Sequence, residues 1–292
     1  MGRAPSRVCL VGVGLIAGSL GLALKRLSPA PEVVGLGRHA GSLERARQLG
    51  VIDRYSLDPA SAVAGADLIV LGVPLGAVRA VLTRLRPCLD ADVVMTDVGS
   101  AKGCVVADVE AALGHLPAGF VPGHPIAGTE HSGVEAAFAT LFEGRRVILT
   151  PDTGTRAEAT AMVRGVWERV GAEVVTMSVG HHDRMLAATS HLPHLLAFGL
   201  VDMLARAPDH DETLRYAAGG FRDFTRIASS DPVMWRDICL GNRDAVLQAL
   251  GDYQNDLAAL ADCVARSDAE GLERVFSSAK RTRDAHLHWF ER

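Results

Sequence analysis

Four stretches of this chain carry residue types that apolar packing alone does not call for. Gly123-His124-Pro125-Ile126-Ala127-Gly128-Thr129-Glu130 puts an imidazole, a rigid Pro, two glycines, a hydroxyl and a carboxylate between apolar segments. An imidazole so placed can exchange a proton near neutral pH. Ser190-His191-Leu192-Pro193-His194 sets two histidines three positions apart. Zinc would need a third ligand, and neither H-E-x-x-H nor a cysteine pair supplies one. A helix kinked at Pro193 around one buried histidine is the structural alternative. The reading preferred here makes His194 a polar contact to an anionic substrate at a domain cleft. In Phe221-Arg222-Asp223-Phe224-Thr225-Arg226-Ile227, Arg226 sits between Phe224 and Ile227. A guanidinium in that apolar setting suits bidentate carboxylate binding; surface pairing with Asp223 or Asp231 is the plainer alternative.

The fourth stretch is Gly12-Val13-Gly14-Leu15-Ile16-Ala17-Gly18, which follows the apolar run RVCLVG and precedes a helix-like segment, Ser19 to Leu27. Strand, G-x-G-x-x-G/A turn and helix together signify dinucleotide binding. Gly12 permits the tight turn, Gly14 lets backbone approach the pyrophosphate, and Ala17 keeps helix and strand close. Leu15 and Ile16 complete the cofactor-binding turn, and the N-terminus of the helix that follows offers free N–H groups to phosphate. The second strand, Glu32 to Leu36, runs into Gly37-Arg38-His39 without the acid that would hold the ribose 2′-OH of NAD. Arg38 could meet the 2′-phosphate of NADP instead, so the cofactor is NAD or NADP, with NADP favoured.

These residues need elements to hold them. Asp67–Val73 reads as a buried strand followed by a helix from Gly76 to Arg86, and 92–98 as the next strand, running into Gly99-Ser100-Ala101-Lys102. Phe120-Val121 leads into the His124 stretch, which reads as a turn. Val147–Leu149 and Glu173–Met177 are further strands, with a helix between them started by a Thr155/Glu158 capping box. Repeated βα units imply a doubly wound, mostly parallel sheet with ligands beyond the carboxyl ends of its strands. Ser100 and His124 both fall at that edge. After Ser178 the apolar spacing is helical throughout 181–205, 233–265 and 268–290. Asp231-Pro232 provides one helix start and a Ser267/Glu270 capping box another. The expected architecture is an α/β Rossmann-type domain, residues 1–177, followed by an all-α domain, residues 178–292. The long apolar faces of that second half suggest pairing within a homodimer.

At 292 residues two domains are expected. A net charge of −4 with scattered Lys and Arg argues against nucleic acid or a membrane surface as partner. Five well-separated cysteines without a C-x-x-C pair point to buried thiols in a reducing compartment. No apolar leader or span is visible, so a cytoplasmic protein is expected.

The four stretches, with Asp97-Val98-Gly99-Ser100-x-Lys102, resemble the prephenate/arogenate (cyclohexadienyl) dehydrogenase family, in order along nearly the whole chain. The resemblance implies a Rossmann domain, a helical dimerisation domain and a cytoplasmic role in tyrosine biosynthesis. It departs at the missing acid after the second strand, and no mutase or regulatory segment is visible, so a monofunctional chain is expected. By resemblance, hydride passes from prephenate to nicotinamide with His124 as partner of the ring 4-hydroxyl and Ser100 orienting His124. Arg226 anchors a carboxylate, and His194, Ser190, Thr129 and Gly219 line the substrate. Glu130 and Trp235 form the cleft wall. Lys102 is taken as a helix-start residue facing solvent. Two other readings compete. A β-hydroxy acid dehydrogenase would use a lysine in the helical half, and an NADP-sensing regulatory protein would need no catalytic histidine.

Overall fold

The computed structural model describes residues 3–129 and 131–287, so Glu130 lies outside the described residues. The strands are β1 (Arg7–Val11), β2 (Glu32–Leu36), β3 (Arg54–Ser56), β4 (Leu68–Leu71), β5 (Val94–Asp97), β6 (Phe120–Val121), β7 (Gly123–Pro125), β8 (Arg146–Leu149) and β9 (Glu173–Thr176). Six helices run between them: α1 (Leu15–Lys25), α2 (Ala40–Gln48), α3 (Pro59–Val63), α4 (Val78–Leu85), α5 (Lys102–Leu113) and α6 (Ala157–Arg169). The rest is helical: α7 (Val179–Leu186), α8 (Leu192–Ala205), α9 (His210–Arg215), α10 (Gly219–Thr225), α11 (Pro232–Gly241), α12 (Arg243–Ala265) and α13 (Ala269–Ala285).

β1 to β6 form one parallel sheet in the order β3-β2-β1-β4-β5-β6. The order in which strands are added reverses at β1 and β4, which opens a ligand crevice at their carboxyl ends. Along β1, Val8 and Leu10 enter one apolar layer while Cys9 and Val11 enter the other. Burial on both faces is what a parallel sheet demands. Gly12, at φ +85°, turns the chain at this crevice and donates its N–H to Leu36 O at 2.8 Å. A Cβ there would lie 2.7 Å from Gly72 O. The helix begins at Leu15, inside the glycine motif and earlier than the expected Ser19, because Gly14 serves as its N-cap.

The remaining three strands do not extend this sheet, contrary to expectation. β7, β8 and β9 form a second sheet, with β7 antiparallel to β8 and β8 parallel to β9. The His124 stretch therefore starts as a strand, with His124 paired to Ile148. Pro125 is tolerated because β7 is an edge strand.

Two helix starts also differ from the sequence reading. Arg156 is the N-cap of α6, and Thr155 Oγ1 instead accepts from Asp152 N at 3.0 Å. Asp268 caps α13 by accepting from Gly271 N at 2.9 Å, displacing Ser267. Asp268 offers a cap of the same chemistry as Ser267, whereas Arg156 makes no side-chain cap bond. Asp231 caps α11 as expected, with Pro232 at its first turn. Trp235 and Ile238 of α11 join Leu75, Ala101 and Val105 in one core layer, so the helical half packs directly on the parallel sheet's domain. No described helix is long and apolar enough to cross a membrane.

Candidate active site

His124 is 8% exposed, at the end of a hydrogen-bonded chain that crosses between the two halves. Its Nδ1 lies 2.9 Å from His182 Nε2, and His182 Nδ1 lies 2.8 Å from Asp183 Oδ1. Ser178 caps α7 from the other end of that turn, so His182 and Asp183 are presented by a well-started helix. Asp183 also accepts from the main-chain N–H groups of Lys102 (2.9 Å) and Gly103 (2.8 Å). A carboxylate from the helical half thus caps the first turn of α5, where helix N–H groups lack intrahelical partners. A Cβ at position 103 would sit 2.9 Å from Asp183 Oδ2, which accounts for the glycine.

The hydrogens follow from the acceptors. An ionised carboxylate only accepts, so His182 Nδ1 carries the proton it gives to Asp183. With one proton per ring, His182 Nε2 accepts from His124 Nδ1, and His124 Nε2 is left as a lone pair. Among the described residues that nitrogen makes no hydrogen bond. Burial, then the Lys102 charge, then His182 and His191 hold the His124 pKa well below the ordinary histidine value. Burial would raise the Asp183 carboxyl, but its bonds from His182, Lys102 and Gly103 outweigh this and hold it low. His182 orients His124; no hydrogen bond joins Ser100 to His124 among the described residues, contrary to the role expected for Ser100.

Ser190 and His191 lie on a π-helical turn, Ala187–His191, that connects α7 to α8. Such wide turns recur at functional sites. His191 is fully buried, and Asn242 Nδ2 donates to both Asp183 O (2.8 Å) and His191 Nδ1 (3.1 Å). Burial takes the His191 pKa down to about 4. The Ser100 main chain abuts this ring. His194 donates from Nδ1 to Ser190 O at 2.9 Å and stacks on Trp235 with centroids 3.5 Å apart and planes at 17°. Burial, with the charge of Arg226 contributing, lowers its pKa. Neutral His194 therefore presents Nε2 as an acceptor, which suits a hydroxyl and not the anion expected from sequence.

Arg226 begins the 3-10 turn Arg226–Ser229 and is exposed, whereas an apolar setting was expected. Its charge reaches His194, so the two are neighbours. Thr129 is exposed on the loop after β7, and Gly219 starts α10 in an exposed position. Arg38 is exposed just past the carboxyl end of β2.

Lys102 overturns its expectation most. It is fully buried and ion-paired with Asp97, although a solvent-facing residue was expected. Sequence reasoning missed Asp97, His182, Asp183 and Asn242. The signal available was the pair of acids and imidazoles in Asp97-x-x-x-x-Lys102 and His181-His182-Asp183, but nothing local shows that they meet.

At the crevice, a Cβ on Gly14 would meet nothing within 4 Å, leaving open space beside the N-terminus of α1. One on Gly72 would strike Ala17 Cβ at 2.7 Å, so helix and strand are as close as the motif requires. A dinucleotide phosphate fits this cradle. A doubly wound domain with that cradle, in a chain that also holds a neutral, oriented imidazole, defines an NAD(P)-dependent dehydrogenase.

Residues 20–176 match the nucleotide-binding domain of prephenate dehydrogenase, and residues 178–278 match its dimerization domain. Cyclohexadienyl dehydrogenase of Zymomonas mobilis is 39% identical over 279 residues, 94% of each chain. Prephenate dehydrogenase of Bacillus subtilis is 37% identical over 290 residues, 97% of this chain and 77% of that one. The crystal structure of prephenate dehydrogenase from A. aeolicus with hydroxyphenyl propionate and NAD+ superposes with a TM-score of 0.90 at 39% identity, covering 97% and 99% of the two chains. This chain belongs to the prephenate dehydrogenase family.

Proposed function

We propose that His124 accepts the proton of the substrate's ring 4-hydroxyl, that Arg226 anchors a substrate carboxylate, and that His182 and Asp183 fix the tautomer this requires. The reaction is the NAD(P)-linked oxidative decarboxylation of prephenate in tyrosine biosynthesis. The observation that carries the residue-level reading is the unbroken chain from Asp183 through His182 to His124. It leaves one lone pair on a ring that burial keeps neutral.

Prephenate bears hydroxyl and hydrogen on one ring carbon, opposite a quaternary carbon that carries a carboxylate and a pyruvyl arm. When bound, the nicotinamide supplies the hydride acceptor. As hydride leaves the carbinol carbon, the hydroxyl proton passes to His124 Nε2 and a ketone forms. The bond to the carboxyl carbon then breaks, CO₂ departs, and the released electron pair aromatises the ring. His124 returns its proton to the ketone oxygen, which becomes the phenol. The imidazolium formed in between is stabilised through His182 by the Asp183 carboxylate, a positioned acid–base effect typically worth ~10²–10⁴-fold. His194, stacked on Trp235, offers its acceptor to a substrate or ribose hydroxyl, with Ser190 fixing the ring. Thr129 and Gly219 lie toward the rim, and Ser100 lies at the carboxyl edge of β5 toward the nicotinamide.

A β-hydroxy acid dehydrogenase would place a lysine in this half of the site. Lys280 is the only lysine after residue 178, and it is exposed on α13 and ion-paired with Asp284. A regulatory NADP sensor would have no use for the oriented imidazole.

With purified protein, prephenate and NAD(P), reduced cofactor should accumulate, read by the absorbance of its nicotinamide ring. Arg226→Ala should raise KM for prephenate roughly 10–100-fold, the equivalent of one charge-assisted hydrogen-bond pair, with kcat changed far less. An unchanged KM would remove Arg226 as the anchor.

NADP is the preferred cofactor in this reading, because Arg38 and no acid stands where the adenosine ribose is met. Arg38→Ala should lower kcat/KM for NADP about tenfold and leave that for NAD unaltered. Equal losses with both cofactors would contradict a 2′-phosphate contact. The nucleotide domain takes residues 1–177 and the helical domain residues 178–292. That helical domain pairs with a second copy in a cytoplasmic homodimer, a reading supported by exposed Leu257 and Val264 on α12 and Phe276 on α13.

A further inference from the structure

The ion pair beneath His124 has no part in the chemistry above, yet it grips the residue before the imidazole at both of its polar main-chain groups. Asp97 Oδ1 accepts from Gly123 N at 3.1 Å, and Lys102 Nζ donates to Gly123 O at 2.6 Å. Asp97 Oδ2 accepts from Gly99 N at 2.8 Å and from Lys102 Nζ. The same Lys102 gives its main-chain N–H to Asp183, the far end of the chain that orients His124. Asp97 and Lys102 are at most 1% exposed.

We propose that Lys102 and Asp97 are a positioning pair. Lys102 holds the strand of His124 with its side chain and the Asp183 carboxylate with its main chain, and keeps a fixed positive charge behind the imidazole without touching substrate or cofactor. The inference rests on the reading of His124 as the proton acceptor.

Keeping two charges out of water is costly unless each is paired and its remaining hydrogen-bonding capacity is met. Asp97 meets this condition with Gly99 N, Gly123 N and Lys102, and Lys102 with Asp97 and Gly123 O. Replacing such a pair by well-packed apolar residues is often neutral or stabilising. Stability alone therefore does not explain why a lysine stands here. Its position does: Lys102 bonds Asp183 through its main chain and Gly123, the residue before His124, through its side chain.

The charged and titratable groups around the His124 ring, among the described residues, are Lys102 from α5, His182 from α7 and His191 from the π-helical turn. Asp97 lies under Gly123, and Asp183 lies behind His182. Only Lys102 among these is a fixed cation. It opposes protonation of the imidazole, second only to burial.

The test is the pH dependence of kcat/KM, read beside the ¹⁵N shifts of His124, in Lys102→Met and in Asp97→Asn/Lys102→Met. The second variant keeps both shapes and leaves no unpaired carboxylate, so it remains informative if the first does not fold. Lys102→Met should move the acid limb and the His124 titration up by about one pH unit, as removal of a neighbouring like charge predicts. The double variant also loses the Asp97 carboxylate, so its titration should move less, while loss of the grip on Gly123 should lower kcat in both. KM for prephenate and cofactor should change little. Unmoved titration in folded Lys102→Met, an unchanged kcat in the folded double variant, or a tenfold rise in either KM, would overturn the proposal. His124→Asn separates this from the underlying reading: if that variant retains turnover, the role of His124 fails first.

Discussion

Replacing His124 with Asn should lower kcat by about 10²–10⁴-fold while prephenate still binds. The Asn amide can reach the position of Nδ1 and keep a bond to His182, but it has nothing where Nε2 stands. The substrate then loses only the group that takes its hydroxyl proton as hydride leaves. Binding would rest on Arg226 and the cleft wall, so the fall should appear in kcat with KM nearly constant. Steady-state kinetics with a separate equilibrium binding measurement checks both halves. A kcat within a few-fold of the parent would exclude His124 as the acceptor. The sign of the pH response follows from the same ring. The neutral form is the active one and its pKa lies well below the ordinary value, so activity should persist below pH 6.5 and fall only in stronger acid. A half-maximal point near the ordinary histidine value would contradict the buried, charge-flanked environment.

The second large effect should come from Asp183→Asn. The carboxylate receives three hydrogens, from His182 Nδ1, Lys102 N and Gly103 N. An amide has a single acceptor oxygen and two hydrogens of its own, so at least one donor must face another donor. If the amide N–H meets His182, that ring must accept at Nδ1 and donate from Nε2. His124 Nδ1 then accepts, and its proton moves to Nε2, the position where the substrate hydroxyl needs a lone pair. A loss in kcat of roughly 10²-fold or more is expected, by analogy with tautomer reversal in the serine protease triad. The α5 cap is damaged as well, at a typical cost of ~1 kcal/mol. Melting should therefore occur a few degrees lower, a loss too small to explain the kinetic one. Unchanged kcat with only the thermal loss would reduce Asp183 to a helix cap.

Much of this was legible in the chain. The glycine motif placed the crevice, because Gly12 and Ala17 are dictated by local geometry that any sequence with this turn must obey. His124 stood out because no apolar strand needs an imidazole between Gly123 and Pro125. The helical character after Ser178 was visible from spacing alone. What stayed hidden depends on distant pairs. Lys102 looks like any helix-start lysine until the topology brings Asp97 and Gly123 to it. His182 and Asp183 lie 58 and 59 positions beyond His124 and meet it only because α7 packs on α5. β7 escaped notice for another reason: three residues that include Gly and Pro carry no strand signature. Arg226 could be chosen as a cation for a carboxylate, but its exposure could not be read from its apolar neighbours. The starts of α6 and α13 were shifted by one residue: Thr155 is drawn into a bond with Asp152 N, and Asp268 competes with Ser267 as a cap of the same chemistry.

The central claim is that His124 is neutral, carries its proton on Nδ1 and offers Nε2 to the substrate. Histidine-selective ¹⁵N labelling with two-bond proton–nitrogen correlation reports protonation and tautomer for each ring directly, with His124→Asn giving the assignment. The account predicts that at pH 7 His124 has a protonated Nδ1 and an unprotonated Nε2, and that it remains so below pH 6.5. A proton on Nε2, or an imidazolium at neutral pH, would contradict it.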